Sequence, residues 1–238
     1  MLPLKDDQPI YSTPYVNWFL IGLNLLIYLF QFYLQVTLDP HSYELFVREF
    51  GEVPSHLAAF LAGSPKYSLP QVVVPFFTSM FLHGSWLHVL GNVWALYIFG
   101  DNVEDFLGHF KYLAFYLVTG VLAMGTQVAV NLHSTAPTVG ASGAIAGVLG
   151  AYFVLYPKAR VLTWIFELLI VVIWIPAWVI LGYWFVLNFV SGTSTMLALH
   201  RQNMGGIAFW AHVGGFIAGM VLVKLFPERS RRSPYAYR

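Results

Sequence analysis

The chain has 238 residues, of which 58% are hydrophobic, 18% aromatic and only 10% charged, with a formal net charge of +1. Soluble domains carry about 25% charged residues, so the composition excludes an ordinary soluble fold. The near-zero charge excludes the basic face that nucleic-acid binding needs. With no cysteine, disulfides, thiol nucleophiles and thiolate metal sites are excluded as well.

Residues 1–14 form a polar N-terminal tail that holds Lys5, Asp6, Asp7 and three prolines. The apolar run Tyr15–Leu34 has no small-residue cleavage site close behind it and reads as a retained first span. Further apolar runs follow at Phe81–Gly100, Tyr112–Ala129, Val139–Tyr156, Val161–Val190 and Ile207–Phe226. Most are near the ~20 residues that cross a bilayer. The fifth is too long for one perpendicular helix. It either tilts, or its first half up to Ile175 lies near the interface and the span proper begins about Pro176. The expected fold is an all-α polytopic membrane protein, with residues 15–227 forming one six-helix domain and 228–238 a loose basic tail.

Six spans put both termini on one side. That side carries Lys5, Lys111, Lys158, Arg160, Lys224, Arg229, Arg231, Arg232 and Arg238, against Arg48, Lys66 and Arg201 on the other. The positive-inside rule therefore predicts cytoplasmic termini, and the expected location is a bacterial plasma membrane. Three segments face outward: about Gln35 to Met80, Asn131–Thr138 and Ser191–Gly206. The first carries Tyr43, Leu45, Phe46, Leu57, Phe60 and Leu61 and is expected to lie half-buried at the interface.

Ionisable groups inside spans are costly and mark function by default. They are His83, His88, His212 and Glu167, joined by the uncharged Asn92 and Ser142. At about 1.5 Å of rise per residue, Ser142, His212 and His88 each lie roughly 20–22 Å above the cytoplasmic ends of three different spans. Asn92 shares a helix face with His88, one turn deeper. Gly143, Gly147 and Gly150 line one span and Gly215 and Gly219 another, and such stripes let helices approach closely in lipid. If the stripes meet, His212 comes near Ser142.

The chemistry expected of that meeting is acyl transfer, with His212 as the base for the Ser142 hydroxyl. Glu167 lies near the cytoplasmic end, on the wrong side for His212, so a dyad is predicted rather than a triad. His88, Asn92 and the Ser142 backbone N–H are the expected oxyanion donors. Taken singly, each residue has a structural reading. A serine in a helix usually bonds a carbonyl one turn back. An intramembrane histidine or asparagine usually bridges helices. His83 reads as structural and Glu104 and Asp105 as interfacial. Their coincidence in depth is what favours chemistry.

Gly140-Ala141-Ser142-Gly143 resembles the GxSG pattern of rhomboid intramembrane serine proteases. The segment from Phe209 to Gly219, with His212, Gly215 and Gly219, looks like their HxxGxxxG histidine helix. The segment from His83 to Asn92 is similar to their second span, where a histidine and an asparagine four residues later support the oxyanion. The likeness runs from about Phe76 to Phe226. It implies a six-helix core that cleaves membrane-anchored substrates, with Ser142 as nucleophile, His212 as base, and His88 and Asn92 at the oxyanion. It also implies a water cavity open to the non-cytoplasmic side, with the fifth span and the outer loop Ser191–Gly206 as gate and cap.

Two departures stand out. Val74-Pro75-Phe76-Phe77 occupies the place where some members carry Trp-Arg. Ala146 stands where some carry a tyrosine that stacks on the histidine, so support for His212 is expected from Trp210 or a neighbouring span. The predicted partners are transmembrane substrates and the lipid bilayer, with no nucleic acid, no cofactor and no metal, since the histidines lack HExxH-type spacing. The alternatives are a catalytically silent client-binding relative and a transporter. The transporter lacks the internal repeats it would need.

Overall fold

The computed structural model describes residues 1–166, 171–198 and 208–226. Glu167, Arg201, the second half of the expected outer loop Ser191–Gly206 and the basic tail lie outside the described residues, and the first half of that loop is helical.

Helix α1 (Tyr15–Thr37) is inverted relative to a helix of a soluble protein. Asn17, Asn24 and Gln31 recur every seven residues on its buried face, while Phe19, Leu26, Leu29, Phe30 and Tyr33 are exposed. Amides inside and large apolar side chains outside are what a hydrocarbon solvent selects. The chain is a multi-pass integral membrane protein. Asn17 donates to the Leu96 carbonyl (2.9 Å) and accepts from the Tyr112 hydroxyl (2.9 Å). The Gln31 amide grips the backbone of His83 through both its atoms, at 2.8 and 2.9 Å.

The segment after α1, expected to face outward, folds into four short helices, α2 (Pro40–Phe50), α3 (Pro54–Leu61), α4 (Leu69–Val73) and α5 (Pro75–Thr78). Proline opens or nearly opens each, where its missing N–H costs nothing. A sharp bend of 79° then leads into α6 (Trp86–Ala95), a five-residue π-turn at Leu96–Gly100 and α7 (Asp101–Leu107). The Asn17 amide meets the Leu96 carbonyl at the start of that wider turn. Helix α8 (His109–Val130) follows. Glu104 accepts from the Val16 and Asn17 N–H groups and from His109, tying the start of α1 to the α7–α8 corner. Asp105 accepts from Ser12 (2.6 Å). Glu104 thus caps the start of α1, and Asp105 holds the segment that leads into it.

Helices α9 (Ser142–Leu155) and α11 (Phe209–Leu222) pack more intimately than any other described pair. Their glycine stripes do meet: a β-carbon on Gly215 would strike the Gly143 carbonyl, and one on Gly219 the Gly147 carbonyl. Each helix has only 14 residues, about 21 Å at 1.5 Å per residue, less than a ~30 Å hydrocarbon core. Among the described residues, three other helices are long and apolar enough to cross a membrane by themselves: Tyr15–Thr37, His109–Val130 and Ala177–Met196. The bent pair Leu69–Phe81 and Trp86–Leu107 makes a fourth candidate.

The molecule is mostly helical rather than all-α. The long run after α9 does not tilt through the bilayer. It begins as strands β2 (Arg160–Ile165) and β3 (Val171–Pro176), and helix α10 starts at Ala177, next to the expected Pro176 boundary. The strand residues are rich in β-branched and aromatic types, which suit a pleated surface better than a helix. β1 (Leu2–Asp6), from the N-terminal tail, completes an antiparallel sheet in the order β1-β2-β3. Trp94 donates to the Pro3 carbonyl (2.7 Å), and Tyr152 to the Asp6 carboxylate. Lys5 and Arg160 therefore share one end of the bundle. Arg48, which donates to the Thr135 carbonyl (3.0 Å), lies at the other.

Candidate active site

Three chain segments reach the site at helix beginnings rather than mid-helix. Ser142 is the first residue of α9, His88 lies in the first turn of α6, and His212 is the fourth residue of α11. Each of the three thus sits within the first four residues of its helix, where the chain turns from irregular to helical backbone. Non-helical backbone is tolerated at membrane depth only where protein or a wet cavity surrounds it. The cavity is present, about 700 Å3, and its lining includes His88, Asn92, Thr138, Ser142, Trp184 and His212.

The Ser142 Oγ lies 2.7 Å from His212 Nε2. The first α9 ladder bond is from the Ile145 N–H to the Ala141 carbonyl (3.0 Å). The N–H groups of Ser142, Gly143 and Ala144 thus stand ahead of the helical ladder, with the positive end of the helix dipole beside the serine. Asn92 is buried, and its Nδ2 has no hydrogen-bond partner. A buried amide donor left free beside a nucleophile is a group waiting for an acceptor. Ser85 caps α6 by accepting from the His88 N–H (3.2 Å), which fixes the start of that helix.

Gly140 joins the two halves. Its φ of +133° suits glycine alone, and a β-carbon there would lie 2.7 Å from the His88 ring. His83 is fully buried, with its ring edge-on to His88 at 5.1 Å, and is not among the cavity-lining residues. It packs behind His88 in the protein interior rather than as an interfacial group. Gly143, Gly147, Gly215 and Gly219 act as helix spacers.

The support for His212 comes from α10 (Ala177–Ala198). Trp184 lies against the imidazole, with centroids 5.5 Å apart and planes tilted by 35°, and Asn188 Oδ1 is 2.6 Å from His212 Nδ1. Of the two expected sources, the neighbouring span is the one used. Trp210 packs on Phe189 instead. Asn188 was legible as the single amide in the apolar run Ala177–Val190, but unlike Asn92 it stands beside no histidine or motif that would single it out.

Residues 70–229, well over half of the chain, match the rhomboid domain. The chain belongs to the rhomboid family. Among curated rhomboid proteins it is 34% identical over 163 residues to Rhomboid-like protein 11, chloroplastic, of Arabidopsis thaliana, covering 65% of this chain and 54% of that protein. It is 26% identical over 147 residues to Rhomboid protein 1, mitochondrial, of Saccharomyces cerevisiae, with coverages of 60% and 39%. It is 27% identical over 156 residues to the human Presenilin-associated rhomboid-like protein, mitochondrial, with coverages of 61% and 36%. The matched part thus spans between about a third and a half of these relatives' own length. Within this rhomboid domain, the three segments that carry the family resemblance are those that converge on the cavity.

Proposed function

We propose that this rhomboid protein is an intramembrane serine endopeptidase that cuts transmembrane or membrane-anchored proteins through a Ser142–His212 pair. The carrying observation is the 2.7 Å contact between Ser142 Oγ and His212 Nε2, in a cavity shared with His88 and Asn92. In this reading His212 takes the Ser142 proton as the hydroxyl attacks the scissile carbonyl. The resulting oxyanion is met by the free Asn92 amide, by His88 and by the backbone N–H groups at the start of α9. His212 then protonates the leaving amine, and water repeats the sequence on the acyl-enzyme. A substrate helix must unwind to offer its backbone, so Gly, Pro or small polar residues near the cut favour cleavage.

The six apolar helical regions are taken as six spans, the two 14-residue helices reaching the site from the terminus-bearing side. Lys5 and Arg160 at one end and Arg48 at the other support cytoplasmic termini and a site that faces away from the cytoplasm. The membrane proposed is a bacterial plasma membrane. The relatives' own names place them in chloroplasts and mitochondria.

The test is cleavage of a transmembrane substrate by purified protein in liposomes, together with fluorophosphonate labelling. The wild type should cut and be labelled at Ser142, and Ser142→Ala should do neither. Cleavage that persists in purified Ser142→Ala would overturn the assignment, as would a wild type that binds membrane clients without cutting or labelling.

A further inference from the structure

The Asn188 amide has only one orientation that satisfies its neighbours. Its Nδ2 faces the Trp184 backbone carbonyl at 2.8 Å, and only a donor can be used there. Its Oδ1 therefore faces His212 Nδ1, at 2.6 Å, and can only accept. Nδ1 must then carry the imidazole proton. Nε2 is left with its lone pair toward Ser142, 2.7 Å away, in the state that a general base requires. Both groups are buried, Asn188 at 7% exposure and His212 at 9%, so no competing water network is needed to set this choice.

We propose that Asn188 is a positioning residue that fixes the tautomer and ring orientation of His212. This rests on the protease reading, whose dyad it extends to Ser142–His212–Asn188. Asn188 touches no reacting atom and acts through the imidazole. It fills the place that a buried carboxylate takes in soluble serine proteases. An amide makes the same contact without a charge at membrane depth, where an ionised carboxylate is expensive. Trp184, one turn earlier on α10, covers the ring face and holds its plane. Since α10 alone supplies both contacts, displacing α10 from α11 removes the tautomer lock and the ring support together. The competence of the base is thereby coupled to where this helix sits.

The decisive measurement is the 15N spectrum of histidine-labelled protein in detergent, with the His212 signals identified by comparison with His212→Gln. The wild type should show Nδ1 protonated and Nε2 bare. Asn188→Leu, similar in size and without an acceptor, should lose that single tautomer. Its rate of Ser142 labelling should fall at least ~10-fold, with an upper limit of the ~10⁴-fold that a general base contributes. Asn188→Asp keeps the accepting oxygen and should restore both the tautomer and most of the labelling. Folded Asn188→Leu with an unchanged tautomer and wild-type labelling would overturn the inference. Should that variant fail to fold, a wild-type spectrum with Nε2 protonated and Nδ1 bare overturns it equally. The tautomer readout requires no turnover. An inert wild type therefore counts against the protease reading, and the spectrum judges Asn188 separately.

Discussion

Gly219 of α11 lies so near Gly147 of α9 that a methyl group on it would clash with the Gly147 carbonyl oxygen. His212 shares that face of α11, seven residues earlier, so this contact sets how far the imidazole stands from Ser142. The obstacle is backbone, which cannot rotate aside. Gly219→Ala should therefore force the helices apart and cost about 1–3 kcal/mol, the usual range for overpacking. Its thermal midpoint in detergent should drop, and Ser142 labelling should fall further than the stability loss explains. Gly125→Ala on α8, where nothing lies within 4 Å of the new β-carbon, is the control. It should be neutral or stabilising by up to ~1 kcal/mol, since alanine favours a helix. Equal behaviour of the two variants would refute the close-approach argument.

Asn92 separates chemistry from stability cleanly. Its Nδ2 makes no hydrogen bond in the resting protein, so removing it forfeits no folded-state partner. Asn92→Ala should leave the thermal midpoint nearly unchanged while kcat for a transmembrane substrate drops about 10²–10³-fold, the cost of one oxyanion donor. KM should move little, because the oxyanion exists only after attack. A variant that loses stability and retains kcat would instead make Asn92 a helix-bridging group.

The catalytic segments were legible because chemistry needs rare residues at restricted depth. A serine among glycines, a histidine followed by Gly215 and Gly219, and the His88–Asn92 pair each stand out in apolar sequence. The supporting parts were hidden for identifiable reasons. Asn188 is uncharged and carries no motif, and its role exists only through the fold that brings α10 to α11. Asn17, Asn24 and Gln31 were readable as a seven-residue amide period on one face of α1, a signal that carries no motif and no ionisable neighbour. The strands β2 and β3 look like part of a span because hydropathy does not distinguish a strand from a helix. Their β-branched content and the Pro176 boundary carried that information.

Gly140 offers a test of backbone strain. At φ +133° an alanine is strained whatever the space, and here its β-carbon also meets the His88 ring at 2.7 Å. Gly140→Ala should destabilise by about 1–3 kcal/mol and move both His88 and the first turn of α9. Labelling of Ser142 should decline accordingly. His88→Ala in the Gly140→Ala background removes the steric partner but not the positive φ, so it should recover part of the stability and none of the cleavage. No recovery at all would show that the backbone term alone sets the loss.

Glu52 gives the prediction for pH. Its backbone pairs with Thr138 in both directions, at 3.0 and 2.7 Å, tying the outward segment to the stretch that enters the active site. Its side chain is 1% exposed, one carboxyl oxygen has no partner, and burial pushes its pKa up to about 7. Between the ordinary carboxylate value of 4.5 and about 7, the unfolded chain releases this proton while the folded protein keeps it. The folded state binds more protons there, so stability falls as pH rises through that window and levels off above it. Glu52→Gln stays neutral throughout and lacks this dependence. Thermal midpoints of the wild type and Glu52→Gln, measured in detergent from pH 5 to pH 8, should therefore diverge as pH rises, the variant gaining on the wild type until about pH 7. A difference that stays constant across the range would mean that Glu52 is already ionised in the folded protein. The Thr138 bridge would then have to tolerate a buried charge.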